Sequence, residues 1–151
     1  MKNFIRIKNL IIEKMPKPKT PLLTVDAVIL YDSNNIILIK RKNPPFKGEY
    51  ALPGGFVDIG ETVEEACIRE AKEETDINVQ IKKLIGVFSK PDRDPRGHTV
   101  SVAYMCEPRT KNEKPKAQDD AAEVEIIPLK KLPNLKLAFD HKTIIKKAEL
   151  F

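Results

Sequence analysis

Residues 54–77 read GGFVDIGETVEEACIREAKEETDI, a glycine pair followed by a helix-forming run crowded with carboxylates. Eight acids (Asp58, Glu61, Glu64, Glu65, Glu70, Glu73, Glu74 and Asp76) stand here against two bases, Arg69 and Lys72, in a protein of formal net charge +5. So local an inversion of charge calls for a counter-ion, and a divalent cation is the leading candidate. Thr62 and Glu65 have the spacing of a capping box and mark the start of a helix. At about 100° per residue, Val63, Cys67, Ala71 and Ile68 share an apolar arc, with Glu70 and Glu74 one turn apart on its edge. Glu73 falls on the flank, while Glu65, Arg69 and Lys72 point away. Like charges at this spacing repel, and a neighbouring core raises the cost. Mg²⁺ or Mn²⁺ takes oxygen ligands of this kind and often shares them with substrate phosphates. The plainer reading is a solvated, Glu-rich helix, which leaves the glycine pair without a purpose.

These residues resemble the box of the Nudix hydrolases, G-x5-E-x7-R-E-U-x-E-E-x-G-U with U apolar. The elements here are Gly55, Glu61, Arg69, Glu70, Ala71, Glu73, Glu74 and Ile77, at fixed spacing over 23 residues, with Asp76 where the pattern has its last glycine. The resemblance implies a helix whose carboxylates hold two or three Mg²⁺ ions, or Mn²⁺, against a diphosphate. By position it implies Glu70 and Glu74 as the main metal ligands, Glu73 as a further ligand or water-holder, and the Gly54 carbonyl as another. Glu61 and Arg69 would pair in a structural role. Asp76 falls just past the helix end, where a left-handed backbone is common and Asp tolerates it. The fold implied is α/β, a Nudix-type α/β/α sandwich with a mixed central sheet.

The length, 151 residues, suits one domain with a core of its own, here 1–151. No apolar run is long enough to cross a bilayer, and no signal peptide is legible at the N-terminus, so no membrane is expected. Cys67 and Cys106 have no metal or disulfide spacing and read as buried and inert, which fits a cytoplasmic protein. The lysines are dispersed without a nucleic-acid motif, so no nucleic acid is expected as a partner. Scattered bases can instead draw small phosphorylated substrates towards an acidic pit.

Residues 1–21 read as a strand, 4–12, and a Pro-containing lead-in; that strand is placed to pair across a possible homodimer. Strands are expected at 22–31, 36–40, 78–88, 100–106 (a central one) and 123–128, with a polar excursion over 107–120. The last helix is expected over 139–151, capped by Asp140, with Ile144, Ile145, Ala148 and Phe151 facing inward.

Outside the box, Pro91 lies 15 residues beyond Asp76 in SKPDRDPRGHTVSVAY. That string, with QDDAAE (118–123) and LAFDH (137–141), resembles the ADP-ribose pyrophosphatase branch of the family. The resemblance implies Mg²⁺-dependent hydrolysis of ADP-ribose, a small nucleotide-sugar diphosphate, to AMP and ribose 5-phosphate. Arg93, Arg96 and His98 can donate to ribose hydroxyls, or simply form a solvated loop. Phe46, Tyr50, Phe88 and Tyr104 are the aromatic candidates for a base clamp, each equally readable as core. His141 can meet substrate or metal, or sit satisfied at a helix start. The general base is left open among Glu73 in the box and Asp120 and Glu123 outside it. Two rivals stand. One is a nucleoside triphosphate or oxidised-nucleotide pyrophosphohydrolase. The other is a non-catalytic ADP-ribose-sensing module, for whose usual DNA-binding domain 151 residues leave no room.

Overall fold

A computed structural model describes residues 16–151; the strand expected at 4–12 lies outside the described residues. The chain forms β1 (Leu22–Asp32), β2 (Asn35–Arg41), β3 (Tyr50–Ala51), β4 (Gly54–Phe56), α1 (Val63–Thr75), β5 (Val79–Phe88), β6 (Thr99–Pro108) and β7 (Ala121–Pro128). A 3-10 helix, Leu129–Asn134, and α2, His141–Lys147, complete it. The sheet runs β3-β2-β1-β6-β5, with β4 also on β1 and β7 also on β2. Only β1–β6 is parallel among the named pairs, so the sheet is mixed.

β1 is central because both of its faces are apolar. Its alternate side chains Val25, Ala27 and Ile29 pack under α1 with Ala66, Cys67 and Ala71. Val28 points the other way and packs with Leu38, Leu52, Ile144 and Ile145 beneath α2. Two helical layers on one sheet make the α/β/α sandwich expected from the sequence. The expected central strand at 100–106 is β6, one place out from the centre.

α1 begins as the sequence dictates. Thr62 accepts from Glu65 N–H at 3.2 Å, and Glu65 accepts from Thr62 N–H at 2.7 Å. It stops at Asp76, whose backbone is left-handed (φ 59°) and whose N–H reaches Lys72 O. Lys72 holds that cap, its Nζ 2.7 Å from Asp76 Oδ1. The carbonyls left open at this end accept from the 107–120 loop: Lys116 N–H to Thr75 O and Gln118 N–H to Glu74 O. That excursion is therefore tied to α1 beside the box.

The last helix is shorter than expected. α2 ends at Lys147, Glu149 turns left-handed (φ 60°), and Phe151 is exposed. Asp140 stands at its N-cap position but its side chain caps nothing, being held by Arg93 instead. Cys67 and Cys106 are free and buried, their sulfurs 3.8 Å apart. Among the described residues no helix is long and apolar enough to cross a membrane.

Candidate active site

The glycine pair is required by two close approaches. β4 lies antiparallel on β1, with Gly54 opposite Asp26 and Gly55 opposite Val25. A Cβ on Gly54 would enter the Val25 carbonyl, and one on Gly55 would enter the Glu70 carboxylate. The turn thus presses against α1, and Gly54 N–H donates to Glu74 Oε2 at 3.0 Å.

Glu74 is buried, 6% exposed. Burial is the main reason its carboxyl is pushed up to about 8; the Gly54 N–H opposes this, Glu70 and Asp120 add to it, and Arg41 pulls it back. Glu70 is also raised, first by burial, against the pull of Arg69 and with a further push from Glu73 and Asp58. Two acids one turn apart are thus both held where their charged forms are disfavoured.

Arg69 organises the near side. Its Nε donates to Glu61 Oε2 at 3.0 Å, Nη1 to Glu70 Oε1 at 2.8 Å and to Glu73 Oε2 at 3.1 Å, and Nη2 to Glu61 Oε1 and to Phe56 O. Glu61 also accepts from Asp58 N–H, and the Arg69 bonds together with that one pull its carboxyl down to about 2. On the helical wheel Arg69 lies beside Glu73 and about 100° from Glu70, and its long side chain reaches both.

Among the described residues no three carboxylate, histidine or thiol side chains converge as a ready-made metal cage. The donors nevertheless suit a divalent cation. Glu74 and Glu70 are hard oxygen ligands with raised affinity for positive charge, and Glu74 Oε1 carries no hydrogen bond among the described residues. Glu73, more exposed, is drawn to Arg69.

Arg41, Arg96 and Phe139 line one pit with Glu74. Arg41 lies 4.9 Å from the Phe139 ring centroid, and Arg96 lies 5.5 Å from the centroids of both Phe139 and Phe56. Phe46 meets Phe139 edge-on at 4.9 Å. Both phenylalanines have left-handed backbones (φ 61° and 51°), a strained arrangement for bulky residues and one that holds their rings together. Arg41 donates to the carbonyls of Pro45 and Asn43 and has no carboxylate within 4 Å among the described residues. Cationic and aromatic groups therefore share the pit with the buried Glu74.

The residues proposed from the sequence for substrate contact separate here. Arg96 reaches the pit, its guanidinium held by buried Asp94 at 2.8 Å. Arg93 borders the pit but is buried, with Nε and Nη2 on Asp140 and Nη1 on Thr99, so the expected free donor is a structural clasp. His98 is exposed, its Nε2 beside Ser89 O, and Pro91 is exposed in a turn; neither lines the pit. Tyr104 donates to Glu64 and Tyr50 to Glu125, while Phe88 packs into the core under α2, so none of the three is a free clamp. Asp120 accepts from Asn43 at 3.1 Å and acts on both Glu74 and Arg41 through its charge. Glu123 is exposed on β7 and bound to Lys40 at 3.0 Å.

Sequence reasoning passed over Arg41, Phe139 and Asp26. Asp26 carried a signal, a lone acid in the apolar strand LLTVDAVILY. It is 6% exposed; burial pushes its carboxyl up, but His141, Ser101 and Arg93 outweigh that and hold it below the ordinary value.

The NUDIX domain pattern matches residues 20–148. This chain belongs to the Nudix family. It is 56% identical over 126 residues to an ADP-ribose pyrophosphatase of Methanocaldococcus jannaschii, covering 83% of this chain and 72% of that one. The Nudix domain of Shewanella oneidensis NrtR, solved with ADP ribose, superposes with a TM-score of 0.82 at 29% identity, over 94% of this chain and 96% of that one. A Francisella tularensis bifunctional NMN adenylyltransferase/ADP ribose pyrophosphatase, solved with AMP and a manganese ion, gives 0.78 at 33% identity, over 99% of this chain and 47% of that one. Nudix ADP-ribose pyrophosphatases generally need divalent metals, and the donors of this Nudix chain suit one.

A pH dependence follows from Glu74. Its folded value, about 8, lies above its ordinary 4.5, so the folded protein holds this proton more tightly than the unfolded chain does. Stability is therefore lost as pH rises through that window, by at most about 5 kcal/mol. Glu61, shifted downward, loses its stabilising contribution only below its ordinary value and does not interfere. The metal-free protein is expected to melt lower at pH 8.5 than at pH 5.5, with added Mg²⁺ narrowing the difference. A melting temperature that rises across this range would refute the burial of an acid here.

Proposed function

We propose that this chain hydrolyses the diphosphate bond of ADP-ribose, or of a similar nucleoside diphosphate derivative, giving AMP and ribose 5-phosphate from ADP-ribose. The observation that carries this reading is the pit itself, lined by the buried acid Glu74 together with Arg41 and Arg96, with the half-buried Glu70 one turn away on α1. Such a pit accepts a cation and a polyanion together, as a diphosphate site must. The names of the similar pyrophosphatases support ADP-ribose as the substrate.

In this reading Glu70 and Glu74, with Glu73 and the Gly54 carbonyl, hold two or three Mg²⁺ or Mn²⁺ ions. Bound divalent cations supply charge neutralisation on the diphosphate and acidify a water. Arg41 and Arg96 bind phosphate oxygens, and the Phe46–Phe139 pair borders the nucleoside. Asp120 takes the proton of the attacking water: it lies within electrostatic reach of Glu74, whereas Glu123 is engaged by Lys40. Arg69 and Glu61 keep the loop and helix in register.

The test is a product assay with Mg²⁺, offering ADP-ribose and, separately, dATP, dGTP and oxidised dGTP. Release of AMP and ribose 5-phosphate from ADP-ribose alone is the expected result. Release of diphosphate from triphosphates alone would replace this reading with the triphosphate one. Tight ADP-ribose binding without turnover would make the chain a binding module, the reading favoured by its likeness to the NrtR domain.

A further inference from the structure

Under β1 on the α2 side, and lining the same pit, lies a buried polar cluster to which the proposed chemistry gives no role. Asp26 accepts from Ser101 Oγ at 2.5 Å and stands 3.2 Å from His141 Nε2 and 3.6 Å from Arg93 Nη2. His141 Nδ1 accepts the Leu52 N–H at 2.9 Å. A ring nitrogen that accepts a backbone N–H carries no proton, so the ring proton is on Nε2 and faces Asp26. Both nitrogens are engaged and the ring is 4% exposed, so His141 is neither a base nor a metal ligand.

What the ring holds is the turn. Leu52 lies two residues before Gly54, and Asp26 is the strand partner of Gly54. Between them, Ala27 N–H donates to Pro53 O at 2.8 Å. One nitrogen of His141 therefore fixes the backbone entering the turn, and the other fixes the strand against which the turn is laid. A buried acid with several polar partners adds little to stability that apolar side chains of the same size would not. The geometry it enforces is the better account of its presence.

We infer that Asp26 and His141 are positioning residues that set the Leu52–Gly54 turn, and with it the Gly54 N–H bond to Glu74, so that the carboxylates of α1 bind a divalent cation tightly. This deepens the reading of α1 as a cation site and rests on it. His141→Ala leaves the Leu52 N–H unpaired and frees the turn to move away from Glu74. Asp26→Asn keeps the shape and removes the charge that orders the ring, Ser101 and Arg93.

The experiment is calorimetric titration of Mn²⁺ into the metal-free chain of 151 residues, with melting temperatures recorded in parallel. Support around a metal site is worth on the order of tenfold in affinity, so His141→Ala is expected to bind Mn²⁺ about tenfold more weakly and Asp26→Asn about threefold more weakly. Val79→Ala, which removes buried packing from β5 in the core layer under α1, to which Leu52 does not belong, is the control: it should lower the melting temperature yet keep Mn²⁺ affinity within about twofold of the parent. The His141→Ala and Asp26→Asn losses should not add in the double variant, because the two act as one unit. Unchanged Mn²⁺ affinity in Asp26→Asn or in a folded His141→Ala protein overturns the inference while leaving the cation site standing. A parent protein that binds no Mn²⁺ removes the cation site and the inference together.

Discussion

Glu74→Gln is expected to lower turnover of ADP-ribose by at least about 100-fold while raising the melting temperature of the metal-free protein at pH 8.5. The two effects have opposite signs because they arise from one property. Glu74 is buried beside two other acids, Glu70 and Asp120, and accepts a single bond, from Gly54 N–H, so its negative charge is poorly solvated in the absence of a cation. Gln has nearly the same shape, keeps an oxygen to accept from Gly54, and carries no charge to desolvate. The fold therefore gains what the site loses. A residue important only for packing would lower both quantities when changed. Thermal melts at pH 5.5 and 8.5, beside steady-state kinetics at saturating Mg²⁺, make the check. The melting difference should shrink at pH 5.5, where the native carboxyl is itself protonated. Undiminished turnover in Glu74→Gln would remove it from the cation site.

Arg69→Ala should fail in the other way, losing stability and activity together. Its guanidinium ties the loop before the helix, through Glu61 and the Phe56 carbonyl, to Glu70 and Glu73 on the helix. Removing it leaves Glu61 without its main partner and sets three glutamates against one another. The side chain is about a quarter exposed, so solvent screening tempers the loss. A cost of roughly 2 kcal/mol is expected, together with at least about a tenfold fall in turnover as Glu70 and Glu73 lose alignment. Arg69→Lys should recover only part of this, since an ammonium cannot span Glu61 and the helix acids as a planar fork does. The stability term is read from the denaturant midpoint at unchanged slope. An Arg69→Ala protein with the parental midpoint would refute the hub.

Much of the fold was legible because its signals are local. The capping box at Thr62 and Glu65, the left-handed stop at Asp76 and the alternation of Val25, Ala27 and Ile29 each involve neighbours in sequence. The end of α2 is not legible, because the pattern of Ile144, Ile145 and Ala148 continues to Phe151. The backbone turns left-handed at Glu149, a feature periodicity does not register. Position alone makes Asp140 a cap. Arg93, 47 residues earlier in the chain, takes its carboxylate instead.

For the candidate site the boundary is similar. Spacing alone puts Glu70 and Glu74 on one edge of a helix, and the resemblance of the box points to a diphosphate. The sequence by itself determined the acidic half of this protein, because those residues lie within one glycine turn and one helix. Only the tertiary structure decided the other half. Arg41 from β2, Arg96 from the loop before β6 and Phe139 from the segment before α2 meet across the pit because the sheet order brings their ends together. It also drew Arg93 inward and left His98 outside, though the two stand five residues apart in one string. Which side chain of a polar loop faces a site depends on partners contributed by distant strands, and no local pattern carries that information.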